Sequence, residues 1–265
     1  MTKDELLAAA TSATQVSELW TLMLDYAETQ RIARVSYHHH GFDEKWGAAA
    51  ANPTTLRRAM DDVIVSATPR FHIIAHGFPR EWVDIYVDDH LYEIDPIPAL
   101  AQRRAVPFLW SEIAELTRLA EEQAAFLERS MPARVGDGVA IQVFGPNMRH
   151  GYVGMGFGDR PRDVTAPQLA EYQLVSQLMH LRACRLIEER NRSEIALSAR
   201  ETEVLGWMAR GKSKTVIADI LGLSPHTVDT LVRRIFRKLE VFDRTAAILK
   251  AINLGLVPAM STVGD

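Results

Sequence analysis

The last quarter of the chain is cut by helix-starting and helix-stopping residues so closely that it can fold only as a bundle of short helices. Ser198-Ala199-Arg200-Glu201 has the form of a capping box, in which the serine hydroxyl satisfies an orphan amide of the first turn and the glutamate reaches back to the cap. Val204, Leu205, Met208 and Ala209 then recur at helical spacing, and Gly211 supplies the left-handed residue that ends many helices. A second helix carries Val216, Ile217, Ile220 and Leu221 on one side until Gly222-Leu223-Ser224 breaks it. Ser224 and Pro225 read as cap and first helical position, where a missing amide proton costs nothing. The third helix, Pro225 to Leu239, has two faces. Val228, Leu231, Ile235 and Leu239 form an inward stripe, while His226, Thr230, Arg233 and Arg237 follow another face that is polar and mostly basic.

At 265 residues the chain is too long for one small module and about right for two domains. The polar run Glu188 to Glu194 is the natural division, giving an N-terminal domain at 1–187, a linker at 188–196 and a C-terminal domain at 197–265. The net charge of −4 is unevenly shared: from Ala196 onward ten Lys and Arg oppose seven Asp and Glu, so the acidic excess lies in front. A polyanion partner is expected for the tail only. With 47% hydrophobic and 24% charged residues the composition is that of a folded globular protein. The single cysteine, Cys184, forms no internal disulfide and points to a reducing compartment. Met1 to Glu5 does not read as a secretory leader, and nowhere do about 18 apolar residues run without a charge. The expectation is a cytoplasmic protein without a membrane partner.

Two helices joined by a tight turn, the second with a basic face, suit the major groove of double-stranded DNA. An ordinary solvated helix face looks the same, so periodicity leaves both readings open. Leu197 to Leu205, Gly211-Lys212-Ser213, Ile217-Ala218, Leu221 to Ser224, Thr227-Val228, Lys238-Leu239 and Arg244 together resemble the helix-turn-helix of the LuxR family. The resemblance implies a four-helix DNA-binding domain whose last helix, near Arg244 to Leu254, contributes to pairing. Arg233, Arg234 and Arg237 are candidates for guanine edges or phosphates. By similarity to the family, Asp229 and Arg233 occupy positions that face bases. Asp229 can accept from a cytosine amino group, or it can serve the helix dipole from the first turn; both readings stand. Lys212, Lys214, Thr227 and Thr230 are candidate phosphate contacts, which position without specifying sequence.

The N-terminal part mixes periods. Helical spacing runs through Glu5 to Arg31, with Leu19, Trp20, Met23, Leu24 and Ala27 on a buried side. Strand-like runs follow at Ile32 to His38, Phe71 to Ala75, Val139 to Phe144 and Tyr152 to Phe157, and a long amphipathic helix at about Pro167 to Arg190. Between the first two strands, Phe42 to Arg70 includes an expected helix at Thr54 to Ser66. The fold class is α+β: an N-terminal α/β/α sandwich with an antiparallel sheet, plus an all-α C-terminal helix-turn-helix domain.

Trp82 and Tyr86 are four apart on an expected helix, so both rings share one side. Pro96 biases Asp95 away from helical angles. Trp82, Tyr86, Asp95 and Trp110, brought together, make an apolar cleft with an indole donor, a phenol and a carboxylate, which is how small-molecule pockets are built. The spacing resembles the acyl-homoserine-lactone-binding domain of LuxR-type quorum-sensing regulators, whose Trp, Tyr, Asp-Pro, second Trp and downstream Gly fall on Trp82, Tyr86, Asp95-Pro96, Trp110 and Gly138. It implies that Trp82 donates to the lactone carbonyl, Asp95 accepts from the ligand amide, and Tyr86 and Trp110 wall the pocket. Many family members carry a tyrosine where Phe78 stands, so Phe78 lines the pocket without a hydroxyl. Met155, in the glycine-rich run Gly151 to Gly158, is expected against the ligand tail.

Other chemistries find little support. Consecutive strand residues alternate faces, so His38, His39 and His40 cannot all reach one metal ion. The glycine-rich run lacks the Lys-Ser/Thr of a phosphate loop. No nucleophile with its base is recognisable, so neither an enzyme nor a cofactor is expected. The resemblance implies a homodimeric regulator that binds a lactone and a promoter palindrome; the alternative is an orphan regulator that ignores lactones.

Overall fold

The computed structural model describes residues 1–40, 62–68, 71–130, 135–159 and 163–258, and the chain divides into two compact units, Met1–Leu186 and Ile187–Asp265. The first unit opens with helix α1 (Lys3–Ser12), started by a capping box of Thr2 and Glu5. Helix α2 (Val16–Thr29) buries Leu19, Trp20, Met23, Leu24 and Ala27, as its spacing requires. Strands β1 (Arg34–His40), β2 (Asp62–Thr68), β3 (Phe71–His76), β4 (Phe108–Leu109), β5 (Asp137–Val143) and β6 (His150–Gly158) form one sheet in the order β2-β3-β1-β6-β5-β4. Every pairing between strands is antiparallel.

Two of these strands are absent from the sequence pattern. β4 has two residues, too few for a period to show. β2 includes the end of the stretch expected as a helix at Thr54 to Ser66, and its Val63-Ile64-Val65 run pairs with β3 instead. Stiff β-branched side chains favour that outcome once a partner strand is available. Residues 41–61, including the remainder of that expected helix, lie outside the described residues.

Alternation along the strands divides the sheet into two faces. One carries Val35, Tyr37, Ile74 and Val153, which meet Leu19, Trp20 and Met23 of α2 and Met179 and Ala183 of α7 (Ala166–Glu194). On the other lie the short helices α3 (Arg80–Asp88), α4 (Pro96–Ala101), α5 (Ile113–Leu116) and α6 (Glu121–Ser130). Their packing buries Trp82, Phe108, Trp110, Phe126 and Tyr152 as one apolar cluster. Helix α7 buries Tyr172, Val175 and Met179 while leaving Leu174, Leu178 and Leu181 at 46%, 38% and 41% exposure. It continues to Glu194, so most of the stretch expected as a linker is helical. Its Glu and Arg residues are good helix formers, and no Gly or Pro stops them.

The adjacent histidines point as alternation demands. His38 faces the short helices, while His39 faces α7 and meets Tyr37, His180 and Cys184. A carbonyl oxygen only accepts, so His180 Nε2 carries the proton it donates to the Arg149 carbonyl at 2.9 Å. His180 Nδ1 then accepts from the Tyr37 hydroxyl at 2.7 Å, and the Tyr37 oxygen accepts from His39 Nδ1 at 3.2 Å. Burial holds His180 neutral, its pKa lowered to about 4. The relay pins the sheet to α7 by hydrogen bonds.

The second unit comprises α8 (Ala199–Ala209), α9 (Lys214–Leu221), α10 (Pro225–Lys238) and α11 (Arg244–Asn253). Each has a side-chain cap, from Ser198, Ser213, Ser224 and Asp243 in turn. Val204, Leu205, Met208, Ile217, Val228, Ile235, Leu239, Ala247 and Ala251 form its core. The inward stripe of α10 runs through Val232, with Leu231 only half-buried. On α9 the buried pair is Ile217 and Ala218, leaving Val216 and Ile220 exposed in place of the expected core. An eight-residue helix is too short for its apolar residues to fix which side turns inward.

Candidate functional site

A cavity of about 440 Å³ lies between the sheet and the short helices. Helix α3 brings Trp82 and Tyr86 to its wall, with ring centroids 6.1 Å apart, and Phe126 of α6 sits about 6 Å from both rings. Phe78 lines the same wall just before α3. Asp95 is held by its position in the chain: it caps α4, with Pro96 as the first helical residue, and its Oδ1 accepts from the Ile97 amide at 2.9 Å. Its Oδ2 accepts from the Tyr86 hydroxyl at 3.0 Å. Burial is the largest influence on this carboxyl and raises its pKa to about 6, although both hydrogen bonds pull the other way. The same burial, reinforced by the Asp95 charge, keeps the Tyr86 phenol protonated and therefore a donor.

Trp110 lies across the sheet on a strip without side chains. A methyl group on Gly138 would come within 2.8 Å of its Cη2, and one on Gly156 within 3.1 Å. One on Gly154 would lie 3.3 Å from Cζ2. The glycines of β5 and β6 are thus occupied by an aromatic ring, which explains why Gly138 and the second tryptophan belong together. The buried Trp110 indole nitrogen has no well-aligned hydrogen-bond partner among the described residues, but it is close enough to act on the Tyr152 hydroxyl.

The structure therefore gathers Phe78, Trp82, Tyr86, Asp95 and Trp110 around one cavity. Met155 is not among them: it is fully buried and its neighbour Val153 faces α2 and α7, so Met155 lies on the far side of the sheet. The strand period is two, and the expectation had the wrong parity. Ser36, His38 and Tyr152 take the cavity face instead, and Phe126 adds a further ring. Tyr152 and Gly154 share the parity of the glycines that make room for Trp110, which is the signal that would have found them.

On the second unit, Arg233, Arg234 and Arg237 are exposed along α10, as are Lys212 in the turn before α9 and Lys214 at its first position. Asp229 accepts from both Lys214 and Arg233, tying α9 to α10. Those two hydrogen bonds, led by Lys214, hold its carboxyl below the ordinary range. The first turn of α10 contains no acidic residue, so the dipole reading of Asp229 fails and its ion pairs account for it. The Thr230 hydroxyl donates to the His226 carbonyl, and that of Thr227 is paired with Ser224. Both threonines serve the helix backbone and its cap, whereas Lys212, Arg234 and Arg237 present exposed positive charge and Lys214 and Arg233 share Asp229.

Comparison with known proteins gives the architecture a family. Residues 15–183 match the autoinducer binding domain, and residues 195–251 match the bacterial regulatory proteins of the luxR family. The chain is 31% identical over 186 residues, 69% of its length and 74% of the relative's, to the HTH-type quorum sensing-dependent transcriptional regulator RpaR of Rhodopseudomonas palustris. Its fold is similar to that of Escherichia coli SdiA, with a TM-score of 0.69 at 19% identity over 98% of both chains. SdiA in complex with octanoyl-rac-glycerol gives a TM-score of 0.68 at 20% identity, covering 95% of this chain and 93% of that one. A signal-binding unit followed by a helix-turn-helix, in this order and at this similarity, makes the chain a member of the LuxR family of quorum-sensing transcriptional regulators, which are not enzymes.

Proposed function

We propose that the cavity binds an N-acyl-homoserine lactone and that the protein, as a homodimer in the cytoplasm, binds a palindromic promoter site through α10, without a cofactor. The observation that carries this reading is Asp95, a carboxylate fixed by two donors and facing an apolar cavity beside Trp82. An amide N–H of a neutral ligand is a suitable third donor, and the Trp82 indole can donate to the lactone carbonyl. The remaining wall is aromatic or aliphatic and suits an acyl chain. Leu174, Leu178 and Leu181 form an exposed apolar stripe on α7 that a second copy would cover. Phe78 favours a second reading, a regulator whose signal is not a lactone, because it offers no hydroxyl to the acyl carbonyl.

Thermal unfolding with lactones of graded chain length, and their ring-opened forms as controls, tests the proposal. A midpoint rise that requires the closed ring and peaks at one chain length is expected. No rise with any of them, in a protein that still binds DNA, would move the chain to the second reading.

A further inference from the structure

The face of the sheet opposite the signal cavity holds a cluster that signal binding does not use. His39 on β1 and His180 and Cys184 on α7 are all buried, and one ligand atom from each lies within 4.8 Å of the others. Among the described residues this is the single group of three side chains able to share a metal ion. Two periods build it. His180 and Cys184 are four apart and share a side of α7, with Sγ 3.4 Å from Nε2. Alternation turns His39, alone of the three adjacent histidines, toward that side. Ligands held at about 2.3 Å for sulfur and about 2.0 Å for nitrogen stand roughly 3.5–3.7 Å apart, close to the spacing found. Thiolate and imidazole suit a late transition ion rather than magnesium or calcium. Charge narrows the choice. The Arg149 guanidinium is wholly buried beside the cluster, its Nη1 donating to the Cys184 carbonyl at 3.3 Å, and no carboxylate pairs with it among the described residues. A divalent ion with one thiolate would leave a net positive charge next to that guanidinium, where charge is poorly solvated. A monovalent ion would leave none.

We propose that His39, His180 and Cys184 form a three-coordinate site for copper(I), which clamps β1 to α7. On binding, the thiol releases its proton to solvent and the sulfur holds the ion as thiolate. Each imidazole stays neutral, giving one nitrogen lone pair and keeping its proton on the other nitrogen. His180 exchanges its bond to the Arg149 carbonyl for the metal, and its proton moves to Nδ1, where the Tyr37 oxygen 2.7 Å away accepts it. A hydrogen bond of that kind fixes the tautomer of a metal-bound imidazole. Burial already disfavours imidazolium at His180, so its lone pair is available at ordinary pH. A cavity of about 40 Å³, lined by Tyr37, Ser176, His180 and Ala183, adjoins the cluster and gives the ion an approach. Copper(I) is then an input separate from the acyl signal, reaching the unit through the buried side of α7.

The test titrates the full chain, reduced and under nitrogen, with copper(I) in competition with a chromogenic chelator. A single equivalent is expected to bind, with copper-edge absorption spectra showing one sulfur and two nitrogens around the ion. Copper(I) should also raise the melting midpoint in the absence of any lactone, and zinc(II) should bind more weakly. Cys184→Ser and His39→Asn should each weaken copper(I) binding at least about a hundredfold, since loss of an outer partner alone costs about 10–100-fold. Metal-free melting of each variant checks that it folds, and the spectra of the wild type decide the matter where a variant does not. A copper ion with no sulfur ligand, binding undiminished in a folded Cys184→Ser, or zinc(II) held as tightly as copper(I) would overturn the site. None of these outcomes touches the lactone reading, whose cavity lies on the other face of the sheet.

Discussion

Asp95 is asked to cap a helix and to face a cavity, and the two roles together fix its acid-base behaviour. Its folded pKa of about 6 lies above the unfolded value, so the proton it holds contributes stability below the unfolded pKa, and that contribution is lost as pH rises through about 6. A ligand amide that donates to the carboxylate prefers the ionised form and must displace this proton at lower pH. Lactone affinity is therefore expected to weaken below about pH 6, by up to about tenfold per unit, and to level off above it. Titrations between pH 5 and 8 check this, and a flat profile would show that the ligand does not engage Asp95. Trp82, Tyr86 and Asp95 are legible in the sequence because helix spacing and a following proline state where side chains point. Ser36, Tyr152 and Met155 are not, because alternation says that neighbours on a strand face apart but not which of them meets the cavity.

The elements of the second unit are held together by a few directed contacts as well as by apolar packing. The Arg244 guanidinium donates to the Met208 carbonyl and to the Lys212 carbonyl, each at 2.7 Å, so the first residue of α11 closes the end of α8 and the turn into α9. Arg244→Ala should destabilise this unit by about 2 kcal/mol, since hydrogen bonds from a charged donor are worth about 1.5–3 kcal/mol each and the site is only half-buried. Arg244→Lys should recover part of it, because both bonds leave from the single nitrogen Nη2 and an ammonium has enough donors for two carbonyls. Denaturant unfolding of the three proteins measures both effects. Helix starts in this unit were readable because Ser198, Ser224 and Pro225 are strong punctuation. The inward faces of α9 and α10 were less so: Val216 and Ile220 are as apolar as Ile217, and only tertiary packing decides between them. β2 was hidden for a related reason, since its pairing with β3 is a long-range choice that local propensity does not record.

Across the whole chain, the order of helical and strand-like periods gave the two-unit architecture, and the charge asymmetry marked which unit meets a polyanion. A ligand that binds only the folded first unit stabilises that unit by about 2.7 kcal/mol at a hundredfold excess over Kd. Calorimetry of the full chain with saturating lactone should raise the transition of the first unit and leave that of the second in place. A single transition that moves as one would show that the units unfold together. The leucine stripe on α7 has a kinetic counterpart. If two copies must meet on Leu174, Leu178 and Leu181 before a palindrome is bound, the active species at low abundance grows with the square of the chain's concentration. Doubling expression then raises output about fourfold at fixed signal, so the cell sets the signal threshold through the gene dose of the receptor as well as through the affinity of its cavity.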